Sequence, residues 1–152
     1  MKKVFLDTNI VADLFLKREP FCENSLKLFT LGFHKKITLY VSSLSYATLA
    51  YLVRKMKKEE RVLLFEKLRN ITETTTVDRL TVDKALISDF SDLEDEINDI
   101  EDDLNVIIDD LKDALQYYSA VNAKVDVVLT RNKKDFVEAN VPVMTPDEFF
   151  KN

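Results

Sequence analysis

Short apolar runs alternate with amphipathic segments along most of this chain. Val4–Leu6 is apolar, and the apolar positions 10, 11, 14 and 15 that follow recur at helical spacing. The order repeats at Ile37–Val41, whose β-branched and aromatic residues precede a second amphipathic segment. Val125–Leu129 gives the clearest strand signal, and Val143–Met144 is a short last strand. Repeated alternation of strand and helix predicts an α/β fold, with a parallel sheet flanked by helices.

Several further segments carry signals for the start or face of an element. Pro20 is suited to open a second helix, and Thr145–Glu148 has the form of a capping box that opens a terminal helix. Glu59–Leu68 and Thr81–Ser88 predict helices, and Thr74–Val77 predicts a short strand. From residue 86 to 118 apolar positions recur every three or four residues, which is typical of a long surface helix or a helical hairpin.

Composition narrows the class of protein. A chain of 152 residues with 46% hydrophobic residues predicts one globular domain, and a single Gly disfavours an all-β fold rich in turns. One Cys and one His exclude an internal disulfide and a Cys/His zinc site, so a metal would need oxygen ligands. The net charge of −5 argues against binding nucleic acid through a generally basic surface. The short apolar run after Met1 predicts neither a signal peptide nor a membrane span, and we expect cytoplasmic residence.

Acidic residues follow two of the predicted strands. Asp7 comes directly after the first strand, although an Asp at this position is also a common helix cap. Asp135 follows the strand Val125–Leu129, a few residues beyond its end. Ligands of parallel sheets gather beyond the carboxyl ends of the strands, so we expect Asp7 and Asp135 to lie near one another.

A third source of carboxylates is the segment DDLKDALQYYSA. Asp110 and Asp113 stand three residues apart and therefore share one face of a helix. A solvated acidic surface is the alternative, because the preceding segment is crowded with acids, but Asp113 adjoins apolar residues close to the core. Mg²⁺ and Mn²⁺ prefer carboxylate oxygens and water, and such ions assist phosphoryl displacement. The sequence therefore predicts a divalent metal site for which Asp7, Asp110, Asp113 and Asp135 are the candidate ligands.

The strings FLDTN, DALQYYSA and TRNKKDF, in this order and spacing, resemble the successive signatures of the PIN-domain nucleases, and within them the VapC-like toxin ribonucleases. The resemblance implies a three-layer α/β/α fold with a mostly parallel sheet of four to five strands. It also implies Mg²⁺- or Mn²⁺-dependent hydrolysis of RNA by a metal-activated water, a cognate antitoxin protein and a homodimer. By motif, Asp7, Asp113 and Asp135 would be the first, third and fourth catalytic acids, with Asp110 as an auxiliary metal ligand.

The chain departs from the family pattern in two places. The second acid of the family is usually a Glu after the second strand, and in VSSLSYATLAYL that position is Thr48. The acidic helical stretch at about residues 91–110 is longer than such domains normally carry, so we interpret residues 1–152 as one PIN-like domain with an insertion. SDFSDLED resembles DDLKDALQ, which leaves Asp95 as an alternative to Asp113 for the third acid, and QYYSA favours Asp113.

Polar and basic residues around these motifs complete the predicted site. Residues expected to support the carboxylates are Thr8, Asn9, Ser43, Thr48, Thr130 and Asn132, and those expected to contact RNA are Arg18, Arg131, Lys133 and Lys134.

Two other functions remain open. A catalytically weak PIN-like module would bind RNA or protein through the same face, with Thr48 marking the lost acid. A phosphatase or phosphate-binding protein is the other, because an Asp after the first strand can form an aspartyl-phosphate, although Asn9 stands where that chemistry expects a second Asp.

Overall fold

The computed structural model describes residues 1–87, 100–136 and 140–151, and its description of residues 100–109 and 135 is confined to the backbone. The strands and helices follow one another in the order β1 (Lys2–Leu6), α1 (Thr8–Phe15), α2 (Cys22–Phe33), β2 (Ile37–Ser42), α3 (Ser43–Leu52), α4 (Lys58–Ile71), β3 (Thr72–Thr75), α5 (Arg79–Ile87), α6 (Ile100–Asn122), β4 (Val127–Leu129), a 3₁₀ turn (Lys133–Asp135), β5 (Val143–Met144) and α7 (Pro146–Lys151).

The five strands form one sheet in the order β3-β2-β1-β4-β5, and every neighbouring pair is parallel. The predicted mostly parallel sheet is thus confirmed. Because all strands run the same way, their carboxyl ends share one edge, where β1 is followed by Asp7 and β4 by Thr130. Within the described ranges, no helix is long and apolar enough to cross a membrane.

The alternation of side chains in β1 separates two hydrophobic layers. Val4 and Leu6 enter the larger cluster, which α1 to α4 cover, whereas Phe5 points into the second cluster. That second cluster contains Tyr117 and Ala120 of α6. Successive side chains of a strand face opposite sides of a sheet, so one short apolar strand serves both layers. Helices therefore lie on both faces of the sheet, which confirms the predicted α/β/α architecture.

Local side-chain chemistry sets several of the helix boundaries. Ser42 caps α3 by accepting the amide of Leu44 at 3.1 Å. Thr145 and Glu148 form the predicted capping box, because the Glu148 amide donates to Thr145 Oγ1 and the Thr145 amide donates to Glu148 Oε1. The Lys133 ammonium, hydrogen-bonded to Glu148, lowers the pKa of that carboxyl below its ordinary value.

Other boundaries differ from the sequence-based prediction. Helix α2 begins at Cys22, so Pro20 precedes the helix and does not open it. Strand β3 begins at Thr72, two residues before the predicted start, because Thr72 pairs with Leu39 of β2. The predicted acidic insertion lies partly outside the described residues, which include the helical backbone of α6 from Ile100 but not residues 88–99.

The single glycine marks a close approach between α2 and the sheet. A Cβ added at Gly32 would stand 2.6 Å from Leu39 Cδ1, and Leu39 is fully buried in the larger cluster. A side chain at this position would force a packed core residue to move. Gly32 therefore fixes how closely α2 sits against β2.

Candidate active site

Asp7 joins the end of β1 to the start of α1. Its amide donates to the carbonyl of Leu129 at 2.9 Å, which holds it against the end of β4. Its carboxylate caps α1, because Oδ1 accepts the amide of Thr8 at 2.8 Å. Asp7 is thus both a helix cap and a buried carboxylate at the sheet edge.

Thr130 fixes the second oxygen of that carboxylate. Its hydroxyl donates to Asp7 Oδ2 at 2.8 Å, and Thr130 is fully buried just beyond β4. The same Oγ1 accepts the amide of Asn132 at 3.1 Å and a longer contact from Asn9 Nδ2 at 3.4 Å. Both Asp7 oxygens are therefore held in place by neighbours from β4 and α1.

Helix α6 brings Asp113 and Gln116 to the same edge of the sheet as Asp7. The amide nitrogen of Gln116 donates to Thr8 Oγ1 at 2.9 Å, and Thr8 Oγ1 lies 2.8 Å from Ser45 Oγ of α3. The Ser119 hydroxyl donates to the backbone oxygen of Gln116 at 2.8 Å. A buried polar chain thus links α6, α1 and α3 at the sheet edge.

A cleft of about 240 Å³ opens between these elements. Its walls include the carboxylates Asp7 and Asp113 and the cations Arg18 and Lys112. Thr48 of α3 also lines it, so this residue opens on the same cleft as Asp7 and Asp113. The remaining lining residues are Thr8, Asn9, Ala12, Leu52, Gln116 and Asn132.

Two side-chain oxygens of residues that line this cleft lack hydrogen-bond partners within the described part of the chain. They are Asn9 Oδ1 and Gln116 Oε1, both with almost no exposed surface. A buried acceptor without a partner costs about 1–3 kcal/mol. Such oxygens are ordinarily matched by water or a bound cation. The cleft therefore presents neutral oxygens as well as carboxylates, which suits a hard divalent cation.

Some predicted residues are not brought to the cleft. Asp110 is exposed and is not among the residues that line the cleft. Ser43, predicted to support the carboxylates, is also exposed, and it is Ser45, two residues later, that contacts Thr8. The side chain of Asp135, like the alternative Asp95, lies outside the described residues. Among the side chains that are described, no three His, Cys, Asp or Glu residues stand close enough to hold a metal ion.

Arg131, predicted to contact RNA, instead neutralises a buried acid. Its Nε and Nη2 donate to the two carboxylate oxygens of Asp13 at 2.7 and 3.0 Å, and its guanidinium stacks 4.0 Å from the ring centre of Phe21. The Asp13 side chain is 1% exposed, and Arg18 adds a second contact at 3.6 Å. Because this bidentate pair uses the charge of Arg131 to neutralise Asp13, we no longer count Arg131 among the residues expected to contact RNA.

The other predicted cations differ in how available they are. Lys133 is paired with Glu148 at 3.2 Å, with both side chains partly exposed, which is a weak surface ion pair. Lys134 is exposed on the 3₁₀ turn after β4. Arg18 and Lys112 line the cleft itself, and Lys112 was missed because it stands within an acidic segment.

Neither Cys22 nor His34 belongs to this site. The Cys22 thiol donates to Glu19 at 3.3 Å, and this hydrogen bond raises the pKa of the thiol, which disfavours the reactive thiolate. His34 is exposed at the carboxyl end of α2, on a different part of the surface from the residues lining the cleft.

This chain is similar in sequence to a known ribonuclease and in structure to proteins of toxin–antitoxin complexes. The chain is 28% identical over 153 residues to ribonuclease VapC1 of Aquifex aeolicus (strain VF5), covering 97% of this chain and 93% of that relative. Among solved structures, the DNA-bound VapBC of Salmonella typhimurium has a TM-score of 0.64 at 19% identity, covering 96% of this chain and 99% of that one. A toxin–antitoxin complex from Klebsiella pneumoniae has a TM-score of 0.59 at 19% identity, covering 94% and 97%.

These structural neighbours share the fold of this chain. The family is set by a separate match, in which the model of the PIN domain family covers residues 3–134. That span contains all of β1 except Lys2, the strands β2 to β4, and both Asp7 and Asp113, so it includes the cleft and its carboxylates. The chain belongs to the PIN domain family.

Proposed function

We propose that this chain is a metal-dependent endoribonuclease, the toxin of a toxin–antitoxin pair. The observation that carries the proposal is the cleft lined by Asp7, from the sheet edge, and Asp113, from α6, beside two buried amide oxygens that have no hydrogen-bond partner among the described residues. Family membership and the relative named as a ribonuclease support the same activity. RNA is accordingly the proposed substrate.

Asp7 and Asp113 are the residues that would hold a divalent ion, with Asp135 proposed as a further ligand from its sequence motif. PIN-domain ribonucleases generally use divalent metal ions, and we propose Mg²⁺ or Mn²⁺ because the cleft offers oxygen ligands and no thiol or imidazole among the described residues. When bound, such an ion eases deprotonation of the attacking water and offsets the charge that develops on the phosphate.

The protein's own residues prepare the site for that chemistry. Thr130 and the Thr8 amide fix both oxygens of Asp7, so little reorganisation is needed when the substrate arrives. Arg18 and Lys112, on the cleft wall, would position the RNA phosphate, and Lys133 and Lys134 would contact the neighbouring backbone. Hydrolysis would then join the water oxygen to phosphorus as the water loses a proton, and break the bond to the leaving ribose oxygen, which takes up a proton.

The proposed partner is an antitoxin protein, because similar structures include a toxin–antitoxin complex and a VapBC assembly. We further propose a homodimer, on the family resemblance alone. A catalytically weak binding module is the second candidate, and the observation that favours it is Thr48 in the cleft at the second-acid position. Affinity for a divalent ion discriminates the two, because a module that has lost catalysis need not retain it.

The test is cleavage of RNA with Mn²⁺, with and without chelator, by the wild type, Asp7→Asn and Asp113→Asn. We expect chelator to abolish cleavage and each variant to lose about a hundredfold or more, the scale of removing one group that stabilises transition-state charge. Asp83→Asn, which alters an exposed acid on α5, is the matched control and should cleave normally. Equal cleavage by all four proteins would overturn the proposal.

A further inference from the structure

Gln116 is a buried amide that faces the acidic cleft. It follows Asp113 by three residues on α6, which places the two side chains on one face of the helix, and both line the cleft. Gln116 is 3% exposed, and its Oε1 has no hydrogen-bond partner among the described residues. A solvated helix surface does not account for a residue this deeply buried.

The neighbours of Gln116 fix its orientation. Its Nε2 donates to Thr8 Oγ1 at 2.9 Å, and its backbone oxygen accepts the Ser119 hydroxyl at 2.8 Å. With the amide nitrogen tied to Thr8, the unpartnered Oε1 is left as the polar end of the side chain that still needs a partner. A buried carbonyl oxygen in a cleft with two carboxylates is matched best by a cation.

Among the described residues that line the cleft, none is the Glu that the family pattern places after the second strand. Thr48 occupies the position where a Glu is usual, and its hydroxyl is a poor ligand for a divalent ion. We propose that Gln116 Oε1 takes the place of the missing second acid, as a neutral oxygen in the ligand shell of a Mg²⁺ or Mn²⁺ ion held by Asp7 and Asp113. This inference rests on the proposed function.

A neutral oxygen at this position has a physical consequence. Carboxylates that share a cleft repel one another until a cation arrives, and an amide adds a ligand without adding to that repulsion. The metal-free protein is therefore more stable with Gln116 than with an additional acid at this position, and its affinity for the ion is lower. Gln116→Glu should reverse both properties.

Gln116 is the only glutamine in the chain, which allows a direct test. Cell-free synthesis with [5-¹³C]glutamine gives a protein with one labelled side-chain carbonyl. We expect Mg²⁺ to shift this resonance, with half of the full shift at a free Mg²⁺ concentration equal to the dissociation constant measured by calorimetry. Chelator should return the resonance to its original position. If Nε2 rather than Oε1 faces the acids, Mg²⁺ will bind while the resonance stays unmoved, and the inference is overturned.

Variants test the same inference without the label. Gln116→Met should weaken Mg²⁺ binding about tenfold, the scale seen when a group that supports a metal site is removed, and Gln116→Glu should strengthen it by a similar factor. Asn24→Ala removes an exposed amide on α2 and should leave the affinity unchanged. A gain from Gln116→Glu is not expected of a merely structural residue, and it remains measurable if Gln116→Met fails to fold.

The outcomes separate the two proposals. The role of Gln116 is overturned, and the nuclease proposal stands, if Mg²⁺ binding depends on Asp113 but leaves the labelled carbonyl resonance unmoved. The same conclusion follows if both Gln116 variants bind Mg²⁺ as tightly as the wild type. No binding of Mg²⁺ or Mn²⁺ to the wild type overturns the metal-dependent function and this inference with it.

Discussion

Thr130 donates its hydroxyl to Oδ2 of Asp7 across 2.8 Å, although 123 positions separate the two residues in the chain. Their proximity follows from the pairing of β1 with β4, which ends at Leu6 and Leu129, the residues just before them. The parallel register therefore delivers a buried hydroxyl to a buried carboxylate before any ligand is present. Because the carboxylate is already fixed, less conformational entropy is lost when a metal ion binds to it.

Replacing Thr130 by Val tests this relationship, because valine keeps the shape of the side chain and removes the hydroxyl. We expect Thr130→Val to weaken Mn²⁺ binding about tenfold, as other losses of a supporting hydrogen bond do. We also expect a loss of about 1–2 kcal/mol in the free energy of unfolding. Calorimetry and urea denaturation measure the two effects, and unchanged Mn²⁺ affinity would show that this hydrogen bond does not position Asp7.

Thr48, which the sequence motif predicts at the second-acid position, gives a prediction of stronger metal binding. Thr48 lines the cleft with Asp7 and Asp113, so a longer acidic side chain there can reach the same space. We expect Thr48→Glu to bind Mn²⁺ about tenfold more tightly, because a carboxylate replaces a hydroxyl near the ion. Ser43→Glu, which adds an acid at an exposed position of the same helix, is the control. No gain in calorimetry would refute this assignment of Thr48.

The pairing of Arg131 with Asp13 predicts a role in stability rather than in RNA binding. Arg131→Met would leave the buried Asp13 carboxylate with only the longer contact from Arg18. Breaking a buried ion pair costs about 3–5 kcal/mol, and the residual Arg18 contact should bring the loss to about 2–3 kcal/mol. Urea denaturation measures it, and Arg18→Met should cost less. Arg131→Met with wild-type stability but impaired RNA binding would restore Arg131 to the RNA-contacting set.

Asp78 gives a prediction about pH. The backbone amide and then the hydroxyl of Thr81 donate to its carboxylate at 3.0 and 2.9 Å, which lowers the pKa of Asp78 below its ordinary value of 3.8. A carboxyl with a lowered pKa stabilises the folded state above its unfolded pKa, and this contribution is lost as the pH falls through the folded pKa. The wild type should exceed Asp78→Asn in stability at neutral pH, and the two should converge in acid. Urea melts over that range measure it, and a constant difference would contradict it.

Much of this fold could be predicted from the sequence because its signals are local. Three apolar residues followed by an acid are enough to place Asp7 at the end of a buried strand. The capping-box pattern of Thr145 and Glu148 likewise predicts where the terminal helix begins. Asp113 was found because it borders the apolar residues of α6. Each of these signals lies within a few residues of the position it explains.

The sequence-based predictions of the site fail where two interacting residues are far apart in the sequence, or where neighbouring residues of a helix face different sides. Ser43 and Ser45 are two residues apart, so they point to nearly opposite sides of α3, and only the structure shows that Ser45 meets Thr8. Asp13 lies on a helix and resembles a solvent-facing acid until Arg131 is brought to it by the fold. Gln116 was missed for the same reason, since its partner Thr8 is 108 positions away.

Other predictions from the sequence stand untested. The role of Asp135 rests on the string TRNKKDF, and the acidic insertion at about residues 91–110 rests on comparison of motifs. Deleting Ser91–Ile108 tests the second, because an insertion can be removed while a cooperative melt is retained.

The central claim is that folding gathers Asp7 and Asp113 around one divalent cation. The most direct measurement is anomalous X-ray diffraction from a crystal soaked in Mn²⁺, with data collected at the manganese absorption edge. Our account predicts an anomalous peak in the cleft within coordination distance of both carboxylates. The account would be contradicted if both side chains were ordered and manganese were bound elsewhere in the crystal, with no anomalous peak between the two carboxylates.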